Sequence, residues 1–124
     1  MKKKKKILIV DDQREVRELV EVTLSMEDYK IFQAENGEEA VHLAKEEKPD
    51  LIIMDVMMPG AIDGLEATQI LKSHQETKDC QVLMLSAKGQ QYDRDKGLQM
   101  GADYYFIKPF SPLELIMKVE KVLG

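Results

Sequence analysis

Ile7-Leu8-Ile9-Val10-Asp11-Asp12 is the stretch on which the reading of this 124-residue chain turns. An unbroken aliphatic run ends at two carboxylates. A run this short, with no polar alternation, suits a strand buried on both faces of a parallel sheet. The pattern repeats: Leu51 to Met54 stops at Asp55, Val82 to Leu85 stops at Ser86, and Ala102 to Ile107 stops at Lys108. Tyr29 to Ala34 reads as a further strand, second in chain order.

Helical spacing fills the gaps. From Asp12 to about Met26, Val16, Leu19, Val20 and Leu24 recur at i, i+3, i+4 and i+8 and predict an inward stripe. Asn36 to Glu46 turns Ala40, Val41 and Ala44 inward, and Gly64 to about Lys72 forms a third helix. Gln90 to Met100 is the weakest expectation, with Gly97 inside it and little apolar periodicity. Pro112 to Leu123 places Leu115, Ile116, Val119, Val122 and Leu123 on one face. Four helix starts carry a capping residue with Glu three positions on: Asp12/Glu15, Asn36/Glu39, Asp63/Glu66 and Ser111/Glu114. Pro112 adds the favoured first helical residue. Alternating strands and helices predict an α/β domain with helices on both sheet faces.

Composition narrows the function. Hydrophobic residues make up 44% and charged residues 33%, the balance of an ordinary folded domain. The lone Cys80 excludes an internal disulfide framework and a multi-cysteine zinc site. No apolar run approaches the ~18 residues of a membrane span, and Ile7 to Val10 is too short for a signal-peptide core. The expectation is a cytoplasmic protein. A net charge of -5 and a pI of about 5.1 argue against direct nucleic-acid binding. Residues 1–6, with Lys2 to Lys6, read as a basic N-terminal arm whose charge blunts the following strand.

The chemistry lies at the strand ends, because open α/β sheets place their functional crevice beyond the carboxyl ends of the strands. There Asp11, Asp12 and Asp55 would meet Ser86 and Lys108. Two unit charges ~5 Å apart repel by about 3 kcal/mol at an effective dielectric of ~20. One lysine leaves three carboxylates with net negative charge. Such a cluster must raise a carboxyl pKa or bind a cation. Hard oxygen ligands with room for water suit Mg²⁺. A cation there invites phosphate chemistry, with Lys108 as a second positive charge and Ser86 as a hydrogen-bond donor. Asp55, alone at its strand end, is the candidate nucleophile for an aspartyl-phosphate. Asp11 and Asp12 are the candidate metal holders, Asp12 doubling as a helix cap.

Asp11-Asp12, the run Asp55-Val56-Met57-Met58-Pro59, Asp63-Gly64, Ser86-Ala87, and Tyr105 with Lys108-Pro109 resemble the receiver domain of two-component response regulators. The resemblance covers residues 7–124 in order. It implies a flavodoxin-like (βα)5 doubly wound parallel sheet with strand order 2-1-3-4-5. It implies that Asp55 accepts a phosphoryl group from a sensor histidine kinase or phosphotransfer protein. Mg²⁺, with Mn²⁺ as substitute, would be held by Asp11, Asp12, Asp55 and the backbone carbonyl of Met57. Ser86 and Tyr105 resemble the switch pair, and Lys108 the lysine that pairs with the phosphoryl group. The bond before Pro109 is cis in relatives. Met57 and Lys88 occupy the positions that tune phosphoryl lifetime, and Met57 has no polar atom to orient water, so slow self-dephosphorylation is expected. The output would be a switched surface on the fourth helix, fifth strand and fifth helix, addressed to an output domain or target protein and suited to a homodimer. Such a chain is a signalling switch, not a turnover enzyme.

The stretch Pro59 to Asp63 is one residue longer than the family's usual turn, and Ser86 stands where threonine is frequent. An Mg²⁺-dependent aspartyl phosphatase would need an Asp-x-Asp nucleophile motif after the first strand, which Asp11-Asp12-Gln13 does not supply. A flavin or nucleotide carrier would need a Ser/Thr/Gly-rich phosphate loop there. The complete acidic set argues against a degenerate receiver that only binds a partner, which stands beside the phosphatase as the alternative reading. The remaining candidates read as structural. His42 and His74 sit at the surface, Cys80 is an inert thiol, Met54 is core, Met57 and Met58 line the site rim, and Asp63 is a cap.

Overall fold

Each aliphatic run becomes a strand, and each strand pairs in parallel with its neighbours. The computed structural model describes residues 4–87, 95, 98–108 and 110–124. Along the chain run β1 (Lys6–Val10), α1 (Arg14–Leu24), β2 (Lys30–Ala34), α2 (Gly37–Glu47), β3 (Leu51–Asp55), α3 (Gly64–Ser73), β4 (Gln81–Ala87), β5 (Tyr104–Lys108) and α4 (Pro112–Leu123). Helix α4 is thus the fifth helix of the sequence reading. The helix expected over Gln90 to Met100 falls largely outside the described residues, of which Asp95, Leu98 and Gln99 are helical.

The strands form one sheet in the order β2-β1-β3-β4-β5. The pleat sends successive side chains to opposite faces. Ile7, Ile9, Leu51, Ile53, Leu83 and Leu85 pack with Val20 and Leu24 of α1 and Leu115 and Val119 of α4. Leu8, Val10, Ile52, Met54, Val82 and Met84 pack on the other face with Ala40 and Ala44 of α2 and Leu65, Ala67 and Leu71 of α3. Both faces being buried is why the strands read as continuous aliphatic runs. Each such side chain contributes about 1.5–3 kcal/mol by leaving water. No helix among the described residues is long and apolar enough to cross a membrane.

The helix starts follow the sequence at three places and depart from it at the fourth. Asn36 accepts from the Glu39 N–H at 2.8 Å. Asp63 and Glu66 form a full capping box, with bonds of 2.9 and 3.2 Å. Ser111 Oγ accepts from the Glu114 N–H at 3.0 Å, one residue before Pro112. Asp12, however, does not cap α1. The cap residue is Gln13, whose side chain accepts no bond, and Asp11 Oδ1 takes the Gln13 N–H at 2.9 Å instead. That turn delays the helix and leaves the Asp12 carboxylate exposed. Leu19 also departs from expectation, being 64% exposed. The inward stripe of α1 is narrow, stepping by four from the half-buried Val16 to Val20 and Leu24, and Leu19 falls on its flank. Lys6, read as the end of the basic arm, opens β1, with its N–H on Asp50 Oδ2 at 2.8 Å and its Nζ on the Glu47 carbonyl at 3.0 Å.

Gly64 sets how closely α3 approaches the end of β3. Its N–H donates to the Val56 carbonyl at 3.0 Å. A Cβ there would collide with the Asp55 carbonyl group and sit 3.0 Å from Val56 Cα. Backbone cannot yield as a flexible side chain would. Gly64→Ala is therefore expected to lower stability by about 1–3 kcal/mol, read as a reduced urea midpoint. An unchanged midpoint would show that α3 can retreat freely.

Candidate functional site

In a parallel sheet all carboxyl ends lie at one edge, and the crevice opens where successive crossovers leave in opposite directions. Here that point lies between β1 and β3, which are adjacent in the sheet but separated in sequence by β2. Asp11 follows β1 and Asp55 ends β3, next to the paired residues Val10 and Met54. Lys108 ends β5 and reaches back across the end of β4. Its Nζ stands 3.0 Å from Asp55 Oδ1 and 3.3 Å from Asp11 Oδ2. One carboxylate oxygen from each of Asp11, Asp12 and Asp55 lies within 4.8 Å of the others. With Gln13 and Met57 these residues line a cavity of about 220 Å³.

Burial shapes the charges. Asp11 and Asp55 are 2% and 6% exposed, whereas Asp12 faces solvent. Loss of water pushes the Asp55 carboxyl up to about 6. The Lys108 hydrogen bond and charge resist that rise, while the Asp11 and Asp12 charges add to it. Burial works against the Lys108 ammonium, but its hydrogen bond and attraction to Asp55 and its nearness to Asp11 outweigh that and hold it above the usual lysine range. Among the described residues, the cluster offers only hard oxygen donors, keeps excess negative charge and opens to water at Asp12. That donor set fits a hard divalent cation with part of its hydration retained.

The other residues singled out in the sequence divide. Ser86 is buried on β4, one position past Leu85, the register partner of Asp55. Tyr105 on β5 pairs with Met84 and packs half-buried against the core beneath α2 and α3. Met57 lines the cavity with its side chain largely exposed. Met58 does not line the rim: it is buried in the core, because adjacent residues leave the strand end in opposite directions. Lys88 and Pro109 lie outside the described residues. His42 is exposed and paired with Glu46 at 2.6 Å, and His74 is exposed at the end of α3. Cys80 is buried just before β4, at the opposite sheet edge, and burial pushes its thiol pKa up. Sequence reasoning missed two neighbours of the site. Gln13 lines the cavity, and its place directly after the Asp pair was the available signal. Arg17 donates to the Asp11 backbone carbonyl at 2.7 Å. A cation between two inward positions of α1 was its only mark.

The sequence profile of the response regulator receiver domain matches residues 7–120, and the chain belongs to that family. It has the flavodoxin-like receiver fold of a two-component response regulator. It is 44% identical over 119 residues to the phosphate regulon transcriptional regulatory protein PhoB of Pseudomonas aeruginosa, covering 96% of this chain and 52% of that protein. It is 42% identical over 118 residues to the transcriptional regulatory protein ResD of Bacillus subtilis, covering 95% and 48%. The chain thus spans about half the length of these curated relatives. The chemotaxis protein CheY4 of Vibrio cholerae superposes with a TM-score of 0.88 at 31% identity, over 97% of this chain and 99% of that one.

The raised Asp55 pKa has a stability consequence with a definite sign. Well below the ordinary 3.8 the carboxyl is protonated in both folded and unfolded chains. Between the ordinary 3.8 and about 6 the unfolded chain has released the proton and the folded chain keeps it, so stability falls as pH rises through that window. Without metal at pH 7, Asp55→Asn is expected to be more stable than wild type by about 1–3 kcal/mol. The gain should shrink toward pH 4. Urea midpoints across that range check it, and a variant no more stable at pH 7 would contradict the electrostatic reading.

Proposed function

We propose that this chain is the phosphoacceptor of a two-component phosphorelay, with Asp55 taking a phosphoryl group from a phosphohistidine on a sensor histidine kinase or phosphotransfer protein. The observation that carries this reading is one cluster. Asp55 is buried, bonded to Lys108 at 3.0 Å, and within 4.8 Å of two further carboxylates at the sheet's switch point. Asp11, Asp12, Asp55 and the Met57 backbone carbonyl would hold Mg²⁺, or Mn²⁺ in its place. Bound there, the ion supplies positive charge against the phosphoryl oxygens.

The chain's own residues account for the rest. A carboxylate oxygen of Asp55 attacks phosphorus while the P–N bond of phosphohistidine breaks and its electron pair leaves with the imidazole nitrogen. The product is an acyl phosphate on Asp55. Lys108, already directed at Asp55, then pairs with the phosphoryl oxygens once the carboxylate charge is used in the bond. Positioning and electrostatics carry this kind of transfer. Ser86, buried on the next strand, donates its hydroxyl to a phosphoryl oxygen. Tyr105, half-buried on the strand beyond, takes up the space that movement opens. The receiver begins at Lys6, the first residue of β1, and the basic arm is the lysine run before it.

The response is a population shift at the surface around β5 and α4, to which the sequence reading adds a fourth helix that lies largely outside the described residues. That surface would address an output domain or separate target, or a second copy of the chain. The length of the transcriptional regulatory relatives, about twice the matched span, supports an output of that kind. Met57, with no polar atom to orient an attacking water, makes the phosphoryl group long-lived, and Lys88 occupies the second tuning position.

An acyl phosphate donor with Mg²⁺ is expected to add one phosphoryl group to the intact mass of wild type and none to Asp55→Ala. Followed after donor removal, Met57→Asn should lose the group faster. Addition to Asp55→Ala, or none to wild type, would overturn the assignment. An equal or slower decay in Met57→Asn would overturn the lifetime argument.

A further inference from the structure

Asp11 is held to β2 on both sides of its Cα. Its N–H donates to the Ala34 carbonyl at 3.2 Å. Its carbonyl accepts from Arg17 Nη1 at 2.7 Å. Arg17 Nε donates to Gln33 Oε1 at 3.0 Å, and Gln33 Nε2 donates to Glu21 Oε1 at 2.6 Å. Gln33 pairs with Ile9 in the β1–β2 ladder. The pleat places it on the same face as Ile31, under α1. A chain of side-chain bonds therefore runs from Glu21 and Arg17 on α1, through β2, to the peptide that joins Asp11 to Asp12.

That peptide is a rigid plane, so its orientation decides how the two carboxylates diverge. The carboxylate of Asp11 is fixed separately, by the Gln13 N–H at 2.9 Å and Lys108 at 3.3 Å. Asp12, across the peptide whose carbonyl Arg17 holds, has an exposed side chain. We propose that Arg17 is a positioning residue of the cation site, fixing the spacing of the Asp11 and Asp12 carboxylates, with Gln33 and Glu21 holding its guanidinium in place. The inference rests on the reading of the acidic cluster as a divalent-cation site.

Two effects of opposite sign separate this role from a bystander's. A guanidinium near the cluster repels a cation, so its removal alone would tighten cation binding. Loss of the positioning bond weakens binding instead. Outer partners of metal ligands typically cost 10–100-fold in affinity when removed.

The test is Mn²⁺ binding to the intact chain, read from the electron paramagnetic resonance of the free ion. Arg17→Met should bind about tenfold more weakly despite losing a positive charge. Arg17→Lys keeps the charge, loses the two-pronged donor geometry, and should also weaken. Gln33→Met should show a smaller loss, and the double variant should be no weaker than Arg17→Met alone, because the two act through one bond chain. Equal or tighter binding by Arg17→Met overturns the inference while leaving the cation reading intact. No saturable Mn²⁺ binding by wild type overturns both. If circular dichroism shows Arg17→Met unfolded, Arg17→Lys and Gln33→Met decide, and unchanged affinity in both overturns the inference.

Discussion

Among the described residues, three carboxylates share one ammonium at the end of a parallel sheet, and the rest of the site answers to that imbalance. Lys108 bridges two of the three, at 3.0 Å to Asp55 and 3.3 Å to Asp11. Burial of Asp55, with the Asp11 and Asp12 charges adding to it, raises its pKa to about 6 against the pull of Lys108. The exposed Asp12 keeps the cavity open to water. Asp55 is thus a poor site for a bare charge and well placed to lose that charge to a bond, while Lys108 remains to hold what is added.

The sheet makes this arrangement affordable in a chain of modest size. Parallel pairing brings Asp11, Asp55, Ser86 and Lys108 to one edge without any loop having to carry them there. Two aliphatic layers, one on each face, fix the strands that hold those groups. At Gly64 the start of α3 closes directly on the Asp55 carbonyl, so the helix and the site share one backbone contact. Strand β2 contributes no reactive end of its own. Its part is support, through Ala34 and Gln33.

Most of this was legible before any coordinates, for physical reasons. Ile7 to Val10 and Leu51 to Met54 could be read as buried strands because both faces are covered and no alternation blurs the signal. Asp11, Asp55 and Lys108 could be brought together because strand ends of a parallel sheet share an edge. The strand order came from family resemblance, since periodicity carries no information about neighbours. The misses share a cause, in that each depends on a contact the spacing does not encode. Asp12 with Glu15 has capping spacing, but the Asp11 carboxylate closes a turn on Gln13 first and moves the helix start. Leu19 fits a broad helical stripe, while the packed stripe is narrow. Met57 and Met58 look alike in sequence and part company only where the strand ends. Arg17 acts on a backbone carbonyl, and a carbonyl has no signature in sequence.

The central claim is that Asp55, buried and beside two further carboxylates, holds its charge poorly until a cation enters. Proton release measures this directly. Mg²⁺ added near pH 6, with proton uptake by the buffer followed through its ionisation heat, should expel a sizeable fraction of a proton per wild-type chain, since Asp55 is then about half protonated. Asp55→Asn should release far less. Binding without proton release, or equal release from the variant, would contradict the account.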